Sequence, residues 1–186
     1  MAQYKACCPI IAKLNDDGTY SNAVILGKMI KTDVTPKSTE AKLYGDDGIA
    51  EDVREATGAD VVLNTTTIPS AAYPTLFGTT VSDDNTENYS TDDNGSFVGY
   101  GYVTGEIVNN KTTYKATWLP KVKFELPPES VETKGENITF TTPSISGAAY
   151  PNGDTNLWRI RKTFDNAADA IAEIKRLANF STTPTE

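Results

Sequence analysis

Histidine is absent from this 186-residue chain. That removes the usual general base near neutral pH and the commonest metal ligand, and it lowers the expectation of an enzyme. Cysteine occurs only as the neighbours Cys7 and Cys8. Adjacent cysteines close a strained ring and two thiols do not build a zinc site, so both read as small, half-buried residues of an N-terminal strand. Positive charge is in the minority: 17 Lys and Arg against 25 Asp and Glu leave a net charge of −8. Such a chain gains nothing from counterion release on a phosphate backbone. No run approaches membrane-spanning length, and the apolar stretch from Ala6 to Ala12 contains Pro9 and stops at Lys13, unlike a signal peptide. P-loop and Rossmann glycine fingerprints, G-x-S-x-G and H-E-x-x-H are all missing. The expectation is a non-enzyme with no catalytic residues, metal or cofactor.

What is present reads as one domain over residues 1–186, long enough to bury a core without a staple. Tyr4 to Leu14 is extended, within an N-terminal arm over 1–15, and Asn15-Asp16-Asp17-Gly18 is a turn. Ala23 to Ile30 has strand length, interrupted by Gly27 and Lys28, and Thr32 to Thr39, with Pro36 inside, reads as a loop. The β-branched run Asp60 to Thr67 is a strand, and 41–67 forms a long hairpin whose tip lies around Glu51 to Gly58. A short helical turn after Pro69 is limited by Pro74. The polar stretch 79–96 is a surface loop.

Phe97 to Val108 is a strand, and Asn109-Asn110-Lys111 a tight turn. In the next segment Tyr114, Ala116 and Trp118 alternate with Lys115, Thr117 and Leu119; beyond Pro120, Val122, Phe124 and Leu126 alternate with Lys121, Lys123 and Glu125. Each half therefore has one core-facing row, and Pro120 marks a bulge or an edge. Asn137 to Thr142 alternates again, Tyr150 to Asn156 turns, and Leu157 to Thr163 is the last strand. Ala167, Ala170, Ile171, Ile174, Leu177 and Ala178 share a helical face, predicting a helix over 165–179 with Asp165 as N-cap. The fold class is mainly β, a sandwich or partial barrel with one C-terminal α-helix covering a face.

The acidic clusters Asp46-Asp47, Asp83-Asp84 and Asp92-Asp93-Asn94-Gly95 lack the oxygen spacing of a calcium loop and read as solvated turns. The six N-x-S/T sequons belong to a chain rich in Asn and Thr, without a secretion signal to make them glycosylation sites. Lys121 with Lys123, and Arg159 with Arg161, are alternating basic pairs on strands: solvent faces or inter-subunit partners.

From Tyr114 onward the sequence resembles the bacteriophage major tail proteins (tail tube proteins) of the phi13 type. The matching blocks are Trp118-Leu119-Pro120-Lys121-Val122-Lys123-Phe124 and Thr133-Lys134-Gly135-Glu136-Asn137-Ile138-Thr139-Phe140-Thr141-Thr142-Pro143, followed by Trp158 to Asn179; upstream, Ala41-Lys42-Leu43-Tyr44-Gly45-Asp46-Asp47 is similar to an acidic hairpin entry. The resemblance implies a tail-tube-type β-sandwich. It further implies homohexameric rings stacked helically into a hollow tube, around a tape measure protein and later around viral DNA that passes without specific binding. Tail terminator and distal tail proteins would be further partners. The setting would be the virion, assembled in the host bacterial cytoplasm and away from membranes.

Under that reading Asp46, Asp47, Glu51 and Asp52 are expected at the lumen or the ring-to-ring seam, with a solvated hairpin as the bland alternative. Tyr4, Arg54, Glu55, Lys121, Lys123, Arg159 and Arg161 are candidates for contacts between subunits. The rival expectations are a tube protein of a contractile tail or secretion system, and a secreted or surface carbohydrate-binding β-sandwich.

Overall fold

The computed structural model describes residues 2–45, 48–82, 84, 86–108, 111–129, 142–153 and 155–180. In chain order the strands are β1 (Ala2–Leu14), β2 (Tyr20–Ile25), β3 (Met29–Gly45), β4 (Gly48–Thr65), β5 (Thr80–Val81), β6 (Glu87–Asn88), β7 (Val98–Val108), β8 (Lys111–Phe124), β9 (Ser144–Ala149) and β10 (Ile160–Phe164). A 3-10 turn (Ser70–Ala72) leads into α1 (Tyr73–Phe77), and α2 (Ala167–Leu177) follows β10. The chain is mainly β, as expected, with one C-terminal helix of substance.

One antiparallel sheet dominates, in the order β2-β1-β7-β8-β9-β4-β3, with β10 also paired to β8. The sheet curls on itself. Ile11 of β1, Val61 and Leu63 of β4, Tyr100 of β7 and Val122 of β8 meet in one buried cluster. The Tyr100 hydroxyl donates to Thr32 Oγ1 at 3.1 Å, four strands away along the sheet. Ala72, Leu76 and Phe77, from the 3-10 turn and α1, join this cluster. Pro74 is harmless there because it lies in the first turn, where an amide N–H has no intrahelical partner, and Gly78 ends the helix at φ 79°.

A second cluster lies on the outer face, where α2 covers β1, β7 and β8. Ile174, Ala170 and Ala178 pack on Ile10, Ala12, Val103 and Trp118. Gly99 and Gly101 make room for this: a Cβ on Gly101 would come within 2.5 Å of Ile174 and 2.6 Å of Trp118. Burying an isoleucine the size of Ile174 contributes about 1.5–3 kcal/mol. The N-cap of α2 is Asn166, one residue later than expected, because its side chain accepts from the Asp169 amide at 2.8 Å. Asp165 instead accepts from Lys111 at 2.9 Å.

β8 serves both clusters, and Pro120 is the pivot. Val98 pairs with Val122 but Tyr100 with Leu119, so β8 carries one extra residue: the expected bulge. Before it, Ala116 and Trp118 point to α2; after it, Val122 and Phe124 point into the curl. The two alternating rows seen in the sequence thus belong to two different cores.

Three expectations are corrected. Thr32 to Thr39 is not a loop: it lies in β3, paired residue by residue with β4. Pro36 is tolerated because β3 is an edge strand. The hairpin's tip is not Glu51 to Gly58, since those residues are strand and the pairing continues to Gly45↔Gly48. The final strand is Ile160–Phe164, shifted toward the helix. The polar stretch 79–96 holds the small β5–β6 pairing. The strand expected at Asn137 to Thr142 (all but Thr142), the turn at Asn109-Asn110 and the block from Thr133 to Thr141 lie outside the described residues.

Candidate assembly surface

Beyond Lys37 and Gly58, strands β3 and β4 leave the body as a two-stranded ribbon. Gly58 marks the departure. Its φ is 141°, and a Cβ there would lie 2.2 Å from the Ala149 carbonyl oxygen, so only glycine lets β4 pass β9 so closely. A bulge sits at the same point, where Lys37 pairs with Gly58 but Ser38 with Ala56. From Ser38 to Lys42 and from Asp52 to Thr57 every residue is exposed, whichever face it occupies. At about 3.4 Å per residue, the eight residues from Ser38 to Gly45 project roughly 27 Å.

The two faces of the ribbon differ. On one, Lys42 pairs with Glu40, and Arg54 lies 3.3 Å from Glu40 and 3.7 Å from Asp52. This face balances its own charge. On the other, Ala41 is opposite Val53 and Thr39 opposite Glu55. Val53 is 50% exposed, and no cation reaches Glu55 among the described residues. At the ribbon's base Lys37 binds Asp60 at 2.6 Å, and the lysine holds its proton above the ordinary range through that contact.

The proposed lumen group is only partly in view. Asp46 and Asp47 lie outside the described residues, as does the Glu51 side chain, although the Glu51 backbone pairs with Leu43. Asp52 sits in the ribbon's ion-pair ladder. Arg54 and Glu55, expected as subunit contacts, occupy opposite faces of the ribbon, which alternation along a strand requires. Tyr4 is in β1 opposite Gly105, so its backbone belongs to the sheet and not to a free arm.

The four remaining cations fall into two separate settings. Lys121 and Lys123 lie over the Phe97 ring, at 4.5 and 5.6 Å, and Lys123 donates to Asn94 at 2.6 Å. Arg159 stacks on Trp158 at 4.4 Å. Burial first, and then the neighbouring Arg161 charge, pull the Arg159 guanidinium below its ordinary pKa. Arg161 is exposed on β10 and lines a cleft of about 290 Å³ with Lys5, Ile30, Lys31, Val34 and Tyr102. This cleft lies along the edge of β3 that pairs with no strand among the described residues. Lys5 reaches it from a bulge in β1, where its own φ is 57°. Apart from the alternating arginines, nothing local in the chain announces the cleft, because its walls come from β1, β3, β7 and β10.

The acidic clusters that lie within view are turns. Asp84 accepts the Thr86 amide at 3.1 Å and Asp93 the Ser90 amide at 2.8 Å. Hydrogen bonds from Thr86 hold the Asp84 carboxyl below its usual pKa. Among the described residues no group of three or more His, Cys, Asp and Glu could hold a metal ion, and no helix is long and apolar enough to cross a membrane. Compared with known protein families and with curated proteins, the chain matches none.

Proposed function

We propose that this chain is a self-assembling structural subunit, the major tail tube protein of a bacteriophage, whose rings stack into a hollow conduit for DNA. The observation that carries the reading is the bare ribbon. A two-stranded hairpin exposed on both faces is marginal in water and needs a surface to lie on. Strand edges at β3 and β2 that are unpaired among the described residues supply further attachment points, turning an aggregation hazard into assembly when the contact is heterologous and closes into a ring. The net charge of −8 suits a conduit wall, because a basic lining would hold passing DNA along its whole length. The resemblance of the Trp118–Phe124 and Trp158–Asn179 segments to tail tube proteins selects this assembly over other self-associating β proteins.

Negative-stain microscopy and sedimentation of the concentrated protein test the proposal. Rings and hollow tubes of uniform diameter are expected. A chain that stays monomeric at every concentration, or that binds glycans as a monomer, overturns it.

A further inference from the structure

Among the strand charges that have no ionic partner within the described residues are opposite ones on exposed positions: Glu55 on the ribbon, and Lys5 and Arg161 at the cleft. We infer that the cleft lined by Lys5, Ile30 and Arg161 is the receptor for the ribbon of a second copy, with Val53 seated on Ile30 and Glu55 paired to Arg161. The inference rests on the tube reading and names the surface that the ribbon occupies within it.

Three observations select this pair of surfaces. The first is charge. The cleft brings Lys5, Lys31 and Arg161 together with a single carboxylate, Asp33, which Lys31 already holds at 2.6 Å. Arg159 lies close enough to Arg161 for its charge to be felt. The cleft is a net cation on a chain of net charge −8. The opposite face of the ribbon is already neutralised by its ladder, so the Ala41–Val53 and Thr39–Glu55 face is the one left to bind.

The second observation is apolar matching. Ile30 is 52% exposed beside the cleft, as Val53 is on the ribbon. A contact that covers both removes two β-branched side chains from water and excludes solvent from the ion pair, which strengthens it. The third is backbone. The cleft runs beside the edge of β3 that is unpaired among the described residues, so an extended segment laid there can also add main-chain hydrogen bonds. The same chain carries both surfaces, and a contact between unlike patches of identical subunits propagates.

Charge reversal tests the inference on the full chain. The concentration at which assemblies appear is measured by sedimentation for wild type, Arg161→Glu, Glu55→Arg and the double variant; circular dichroism checks the fold of each. Both positions are exposed, and Glu55 is remote from either core, so at least that variant is expected to fold as wild type does. Each single reversal is expected to raise the threshold at least tenfold, and the double to return it to within about threefold of wild type. Single variants that assemble like wild type, or a double no better than either single, overturn this docking while leaving the tube reading intact. A wild-type chain that never assembles overturns the tube reading itself, and the inference with it.

Discussion

Trp118 and Tyr20 meet edge to face, with ring centroids 5.1 Å apart and planes at 90°. The Trp118 indole N–H donates to the Tyr20 hydroxyl at 3.4 Å, and that hydroxyl donates in turn to the Pro120 carbonyl at 2.9 Å. β2 therefore reaches the Pro120 carbonyl at the β8 bulge. Tyr20→Phe keeps the ring and removes both bonds, and it is expected to cost about 1–2 kcal/mol. For a chain of this size that lowers Tm by roughly 3–6 °C, readable by calorimetry.

Gly101→Ala tests the seating of α2. The added methyl collides with Ile174 and Trp118. A loss of about 1–3 kcal/mol is expected from the overpacking. The loss should appear as a lower midpoint of a single transition shared by α2 and the sheet, and an α2 that melts separately and earlier would contradict this account.

Glu106 and Lys115 form the most buried ion pair among the described residues, at 2.7 Å with side chains 6% and 20% exposed. They stand on neighbouring strands, where Thr104 is opposite Lys115. Removing one partner strands the other charge, so Glu106→Ala is expected to destabilise by about 2–4 kcal/mol in urea unfolding. Adding Lys115→Met should recover part of that loss, since contacting residues do not add independently.

Glu173 supplies a pH signature. The Arg176 hydrogen bonds at 2.9 and 3.1 Å are the main reason its carboxyl sits below the usual glutamate pKa of 4.5, helped by Lys162 at 3.5 Å. A carboxyl depressed by folding stabilises the native state above its unfolded pKa, and that contribution is lost as pH falls through the folded value. Wild type should therefore be more stable than Glu173→Gln near pH 7, with the gap closing as the pH drops below 4.5. A gap that is constant from neutral to acid pH would refute the linkage.

Legibility in the sequence followed burial. β8 and α2 were visible because apolar spacing of period 2 or 3.6 is imprinted on the chain, while β7, buried on both faces over Val98 to Val103, was read only as an extended run with glycines and tyrosines. Pro120 was readable as a bulge or an edge because proline lacks a ladder donor; the even-numbered apolar row runs on unbroken across it, so the change of face showed only in the structure. The hairpin over 41–67 was legible, but its start before Ala41 and the position of its tip were not. With neither face covered, Ser38 to Glu40 and Asp52 to Thr57 have no alternation to find, and Pro36 added a false loop signal. β9 went unassigned because Ser-Ile-Ser-Gly-Ala-Ala is nearly featureless; Gly147 is needed there because a Cβ would stand 2.5 Å from the Lys123 carbonyl oxygen. The cleft at Arg161 depends on tertiary closure alone, so only the alternating arginines hinted at it.

The change of face at the Pro120 bulge has a mechanical outcome. Trp118 and Leu119 are adjacent in the chain yet anchor opposite hydrophobic layers, so neither layer can melt without dragging the backbone of the other. The helix is thus not a detachable lid: it and the curled sheet should share one melting transition and one unfolding rate. A wall element pulled from either side would then yield as a whole or not at all.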